Sequence, residues 1–124
     1  PTETLIRLET LAMMTEVEVP AAAIKAQVGS AINIIICTAR LYDGSRKVTH
    51  ISEVLVVDEL GRYQTKDIYR FTQKGRTADG MIIGEMLPTG YVPTFYDEIE
   101  RNNIPFPKSK FDPSKVEQTI KSNA

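Results

Sequence analysis

Few side chains in this sequence have the type and spacing to do chemistry. His50 is the only histidine. With no second histidine and Cys37 as the only cysteine, a zinc site is not supported, because zinc draws four ligands from clustered Cys, His and carboxylate groups. A Ser/His/Asp set can be drawn on paper from His50 and the many serines and aspartates. No G-x-S-x-G elbow presents a nucleophile, so a small hydrolase built on His50 rests on chance combinations. His50 reads instead as a structural or surface histidine. The glycines form neither G-x-x-x-x-G-K-[ST] nor G-x-G-x-x-G, so the usual cradle for a triphosphate is missing. The better candidates are basic. Arg40, Arg46 and Lys47 flank the turn Tyr42-Asp43-Gly44-Ser45. Arg46 and Lys47 are expected exposed and close together, where they can meet a phosphate or an acidic patch of a neighbouring subunit. The same residues also suit a solvated hairpin tip. Tyr42, Tyr91 and Phe95 have faces that stack on a base, at spacings that fit a core or an interface equally.

The stretch Gln27–Val57 must position these residues. Two apolar runs, Ile32–Leu41 and Val48–Val57, carry β-branched residues at strand density on either side of Asp43-Gly44, a strong hairpin signal. Ile34, Ile35 and Ile36 in succession fit a strand covered on both faces. Upstream, Thr2–Met14 reads as a helix with Thr2 as its N-cap and Glu3 at the positive end of its dipole. Glu16–Glu18 breaks that pattern. Pro20 opens a second helix to Ser30, and Gly29 near its end lets the chain turn into the first strand. Downstream come a turn at Asp58–Gly61, a strand Tyr63–Phe71, a polar loop Gln73–Gly80 and a short strand Met81–Met86, with Gly84 as a bulge position. A third helix follows Pro93 over Thr94–Asn102, with Phe95 and Ile99 inward. Ile104–Pro107 is extended, and Asp112 caps a last short helix to Ile120.

Bulk properties narrow the class. The chain has 124 residues, the size of one domain or a large piece of one. Fifteen Lys and Arg against sixteen Asp and Glu give a net charge of −1, which argues against a dedicated nucleic-acid binder. No apolar run reaches the length of a membrane span, and the start shows no signal-peptide pattern. Cys37, alone in an apolar strand, reads as a small buried hydrophobe suited to a reducing compartment. Pro1 stands first with no methionine before it, a hint of a fragment. From the residues alone the expectation is a soluble cytoplasmic domain without a self-contained active site. Helices followed by strands fit an α+β arrangement or the second half of a larger α/β domain.

The segment from Arg40 through Asp43-Gly44-Ser45-Arg46-Lys47-Val48-Thr49 to Glu53-Val54 resembles a block of the type II/IV secretion and pilus-assembly ATPases, nearest the CpaF/TadA type of the Tad (Flp) pilus system. Upstream, Arg7-Leu8-Glu9-Thr10-Leu11 and the run from Val19-Pro20 to Ile32 resemble further blocks. So do Asp67-Ile68-Tyr69-Arg70-Phe71, Gly75, Asp79-Gly80, Gly84, Pro88-Thr89-Gly90, Pro93 and Phe95 downstream. The likeness covers residues 1–104 and leaves 105–124 as a C-terminal tail; Gly29 and the loop near Asp58–Arg62 depart mildly from it. It implies an α/β fold, the C-terminal portion of a RecA-like P-loop ATPase domain: two helices, about four mostly antiparallel strands, and C-terminal helices. The strands around Ile32–Val57 would extend the motor's central sheet. It implies a parent that works as a cytoplasmic hexamer at the inner face of the cell membrane, bound there through the membrane platform proteins, with ATP and Mg2+ as cofactors and no nucleic-acid partner. The parent couples ATP hydrolysis to pilus assembly or protein secretion. The Walker A lysine, acidic boxes and histidine box precede this region in the family, so the chain by itself is expected to be inactive and to hold no cofactor. Arg7, Arg40 and Arg46 are the implied candidates for contacts to nucleotide phosphates or the adjacent subunit. The alternative is a non-enzymatic interaction module that docks a partner through the hairpin.

Overall fold

A computed structural model describes residues 1–14 and 20–115. In chain order the elements are α1 (Thr2–Met13), α2 (Ala21–Ala31), β1 (Ile34–Arg40), β2 (Arg46–Leu55), β3 (Gln64–Arg76), β4 (Ile82–Pro88), α3 (Tyr96–Arg101) and a 3-10 helix, Lys108–Phe111. The strands make a four-stranded antiparallel sheet in sequence order, so the chain combines α and β elements and β1 and β4 are its edges. No helix among the described residues is long and apolar enough to cross a membrane. The chain divides into two compact units: Pro1–Ile36 with Ser52–Lys66, and Cys37–Ile51 with Asp67–Ala124.

In the first unit, α1 packs on α2. Thr2 does not cap α1: Pro1 takes that position, without a side-chain cap, and its carbonyl accepts from the Thr4 N–H at 3.1 Å. Pro20 likewise precedes α2, accepting from the N–H groups of Ala23 and Ile24. Leu5, Ile24, Ile35 and Val54 are buried, one from each of α1, α2, β1 and β2. Gly29 sits inside α2 and does not end it. A Cβ there would stand 2.8 Å from Val57 Cγ2, so the missing side chain gives room for that contact. The turn after β2 is held by Asp58 Oδ1, which accepts from the N–H groups of Leu60 and Arg62, with Gly61 at φ +75. The isoleucine run departs from expectation. Ile35 is 7% exposed, but Ile34 and Ile36 are 44% and 61% exposed. β1 is an edge strand covered on one face only, and a local run of apolar residues cannot reveal which face has a neighbour. The acidic stretch Glu16–Glu18 lies outside the described residues.

In the second unit, β3 runs through the stretch expected as a polar loop and pairs with β4 from Tyr69↔Pro88 to Arg76↔Ile82. The irregularity is on β3, between Gln73 and Gly75, and not at Gly84. Gly84 answers to space: a Cβ would run into the Phe71 ring and the Thr72 carbonyl oxygen. Turn chemistry is confined to Thr77–Gly80, where Gly80 takes φ +86 and its N–H bonds to the Thr77 carbonyl. The core is aromatic. Ile68, Tyr96 and Phe111 are buried, with Ile51, Tyr69, Phe95, Ile99 and Phe106 packed against them. Tyr96 and Phe111 meet edge to face at 5.6 Å, a favoured geometry for ring quadrupoles, and the Tyr96 hydroxyl donates to the Phe106 carbonyl. The tail is thus tied into this core. Asp112 caps as expected, accepting from the Ser114 N–H and hydroxyl. Residues 113–115 are helical, and the rest of the expected helix lies outside the described residues.

Candidate anion site at the hairpin

The tip between β1 and β2 follows from its sequence. Gly44 adopts φ +86 and donates to the Leu41 carbonyl at 2.9 Å, while the Leu41 N–H donates to the Ser45 carbonyl at 2.8 Å. This is a three-residue loop closed by a glycine in the left-handed region, a conformation that disfavours other residues there. With Leu41 opposite Ser45, the next rung sets Arg40 opposite Arg46, on one face of the strand pair. Thr49 Oγ1 donates to the Cys37 carbonyl further along, in the same register. Both arginines are exposed. Neither guanidinium has a hydrogen-bond or ion-pair partner among the described residues, unlike Arg62 and Arg70, which pair with Asp58 and Asp67. Arg40, Leu41 and Tyr42 line a shallow depression, and Tyr42 is 99% exposed.

Asp43 is the only carboxylate in the tip, and its oxygens are already committed. Oδ1 accepts from Ser45 N–H at 2.9 Å and Ser45 Oγ at 2.6 Å; Oδ2 accepts from Ile82 N–H at 2.7 Å. These bonds, the Ser45 hydroxyl first, hold its carboxyl down at about 2, with the charge of Lys47 as a smaller contribution. The bond to Ile82 is the feature that sequence reading missed: Asp43 was legible as a turn former, but a partner so distant in sequence leaves no local signal. It also brings the end of β3 to the tip, because Ile82 pairs with Arg76. Arg40, Arg46, Lys47 and Arg76 therefore gather at one end of this unit.

Arg7 is exposed on α1, in the first unit. His50 is half-buried on β2, with Nδ1 3.0 Å from Thr49 Oγ1. No group of three His, Cys, Asp or Glu side chains suited to a metal occurs among the described residues. Cys37 is half-buried on β1, less enclosed than expected. Tyr91 and Phe95 pack against the aromatic core of the second unit, which leaves Tyr42 as the exposed ring of the three. The cleft beside Gly90 and Phe111 contains Lys108 and Asp112, but Asp112 is taken by Ser114. Compared with known proteins, the chain matches no family model and no curated protein.

Proposed function

We propose that this chain is the C-terminal portion of the RecA-like motor domain of a hexameric secretion or pilus-assembly ATPase, whose hydrolysis of ATP drives assembly or export at the inner face of the membrane. What carries the reading is the set of sequence blocks from Arg7 to Phe95 that resemble that family in register. The exposed Ile34 and Ile36 on edge strand β1 fit it, since a strand that extends a larger sheet keeps apolar side chains for a neighbour outside this chain. ATP and Mg2+ belong to the parent: this sequence lacks the glycine loop and lysine that cradle a triphosphate, so no step of hydrolysis is assigned to its residues. Arg7, Arg40 and Arg46 are placed in the parent as contacts to phosphate or to the adjacent subunit.

The test is ATP hydrolysis by the chain alone and by the chain joined to the coding sequence upstream of Pro1. Activity only in the longer protein, with a G-x-x-x-x-G-K-[ST] loop upstream, is expected. Hydrolysis by the chain alone, or an upstream sequence without that loop, would overturn the proposal. The second reading, a non-enzymatic interaction module, draws on the exposed Arg46 and Lys47. It predicts partner capture that is lost when both charges are reversed.

A further inference from the structure

We infer that the opposed pair Arg40 and Arg46 is a clamp for a soluble polyphosphate. Its biological setting rests on the motor reading, but its geometry rests on the hairpin alone. Like charges facing each other across a strand pair oppose pairing. Such a pair is ordinarily relieved by a nearby carboxylate, yet the one carboxylate in the tip is bonded to Ser45 and Ile82, and no other described group bonds to either guanidinium. Water and counterions screen the exposed pair, and a polyanion can take their place. Opposed positions on one rung put both side chains on the same face; a guanidinium binds phosphate oxygens bidentately, so adjacent phosphates of a chain can engage one arginine each. The frame is fixed before any ligand arrives. The closed turn sets the rung, and the Asp43–Ile82 bond anchors the tip to β4. Tyr42, almost fully exposed beside Arg40, adds a flat apolar face next to the clamp, so a phosphate ester carrying a planar ring gains a second contact.

Strand alternation supplies an internal control. Lys47 follows Arg46 directly and points to the opposite face of β2, so it contributes the same net charge without belonging to the clamp. The experiment is an NMR titration of the 124-residue chain with sodium tripolyphosphate at low ionic strength. Saturable shifts are expected at the amides of Arg40, Gly44 and Arg46. Arg40→Gln or Arg46→Gln should each weaken binding by about tenfold, and Lys47→Gln by less than about twofold. All three positions are exposed, and unchanged spectra away from the tip will show that the variants fold. ATP in place of tripolyphosphate should bind at least as tightly. Absent shifts, shifts spread over the other surface lysines and arginines, or equal losses at Lys47 and the two arginines would overturn the clamp. Phosphatidylglycerol vesicles are the second probe. Co-sedimentation that depends on Arg40 and Arg46, without any response to tripolyphosphate, would make the ligand a lipid headgroup and overturn the soluble assignment. Binding of tripolyphosphate is read separately from ATP hydrolysis, so either proposal can fail while the other stands.

Discussion

The two units bury apolar side chains in different ways. In the first, one aliphatic residue from each of α1, α2, β1 and β2 is enclosed, yet nine of the thirteen exposed large hydrophobics of the described residues also belong to it, among them Leu11, Met14, Ile34, Ile36 and Val56. In the second, rings close on one another and the tail returns over them, leaving Tyr42, Met81, Ile83 and Ile104 exposed. Single exposed apolar residues need no explanation, but nine on one unit against four on the other is a difference in how fully the described residues cover each.

The largest test of that contrast is a pair of truncations. Phe111→Ala removes a 4% exposed ring from the aromatic cluster and should cost about 3 to 5 kcal/mol in urea denaturation. Leu11→Ala, at a residue 61% exposed, should stay within about 0.5 kcal/mol. A comparable cost at Leu11 would mean that the apolar surface of the first unit already supports the fold, and the contrast would collapse. Glycines sharpen it at smaller scale. Gly84→Ala drives a methyl into the Thr72 backbone carbonyl and the Phe71 ring, and should destabilise by about 1 to 3 kcal/mol. Gly29→Ala meets only the Val57 side chain, but that side chain is β-branched and stiff, so the roughly 1 kcal/mol of helix propensity gained offsets only part of the crowding, and the net cost should stay below that of Gly84→Ala.

Sequence signals were legible where the physics is local. Asp43-Gly44 announced the hairpin because a left-handed glycine and an acceptor side chain are both turn requirements. Asp112 announced its cap for a similar reason. Signals failed where the answer depended on residues far along the chain. The isoleucines of β1 gave the strand but not its uncovered face. The polar stretch Gln73–Arg76 looked like loop, yet pairing with β4 holds it extended, an override of weak local preference by a neighbouring strand. Phe106 and Phe111 lay in a tail that offered no period to read, and their burial depends on Tyr96 and Ile68. At the candidate site, the arginines were found by type and turn position. Their opposition across one rung needed the turn's hydrogen bonds, and Arg7 proved to belong to the other unit.

A polar tie tests the first unit from another side. Tyr63 Oη donates to Glu9 Oε2 at 2.9 Å, linking the loop before β3 to α1, with the Lys25 ammonium 5.6 Å from the ring centre. Tyr63→Phe keeps the ring and loses the bond, and should cost about 1 kcal/mol in the same denaturation series. Burial, then the Glu9 carboxylate, pushes the phenol up from 10 to about 12. A folded value raised above the unfolded one means that this contribution is complete below pH 10 and is lost as pH rises through about 12. The wild type should lose stability over that alkaline window more steeply than the Phe variant. Equal slopes would remove the tie from the account of what holds this unit together.

The smallest effect is the most local. The Asp43 carboxyl is depressed from 3.8 to about 2 by its bonds to Ser45 and Ile82. Because the folded value lies below the unfolded one, the anchor is fully present above pH 4 and is lost as pH falls through about 2. The group is half-buried at a hairpin tip and its bonds are local, so global unfolding should hardly register it; the Ile82 amide will. Its proton chemical shift should move with a midpoint near 2 in the wild type and show no such transition in Asp43→Asn, whose side chain does not ionise. If the Ile82 shift instead followed an ordinary aspartate midpoint near 3.8, the hairpin tip would not be anchored to β4, and the frame that sets Arg40 opposite Arg46 would rest on the turn alone.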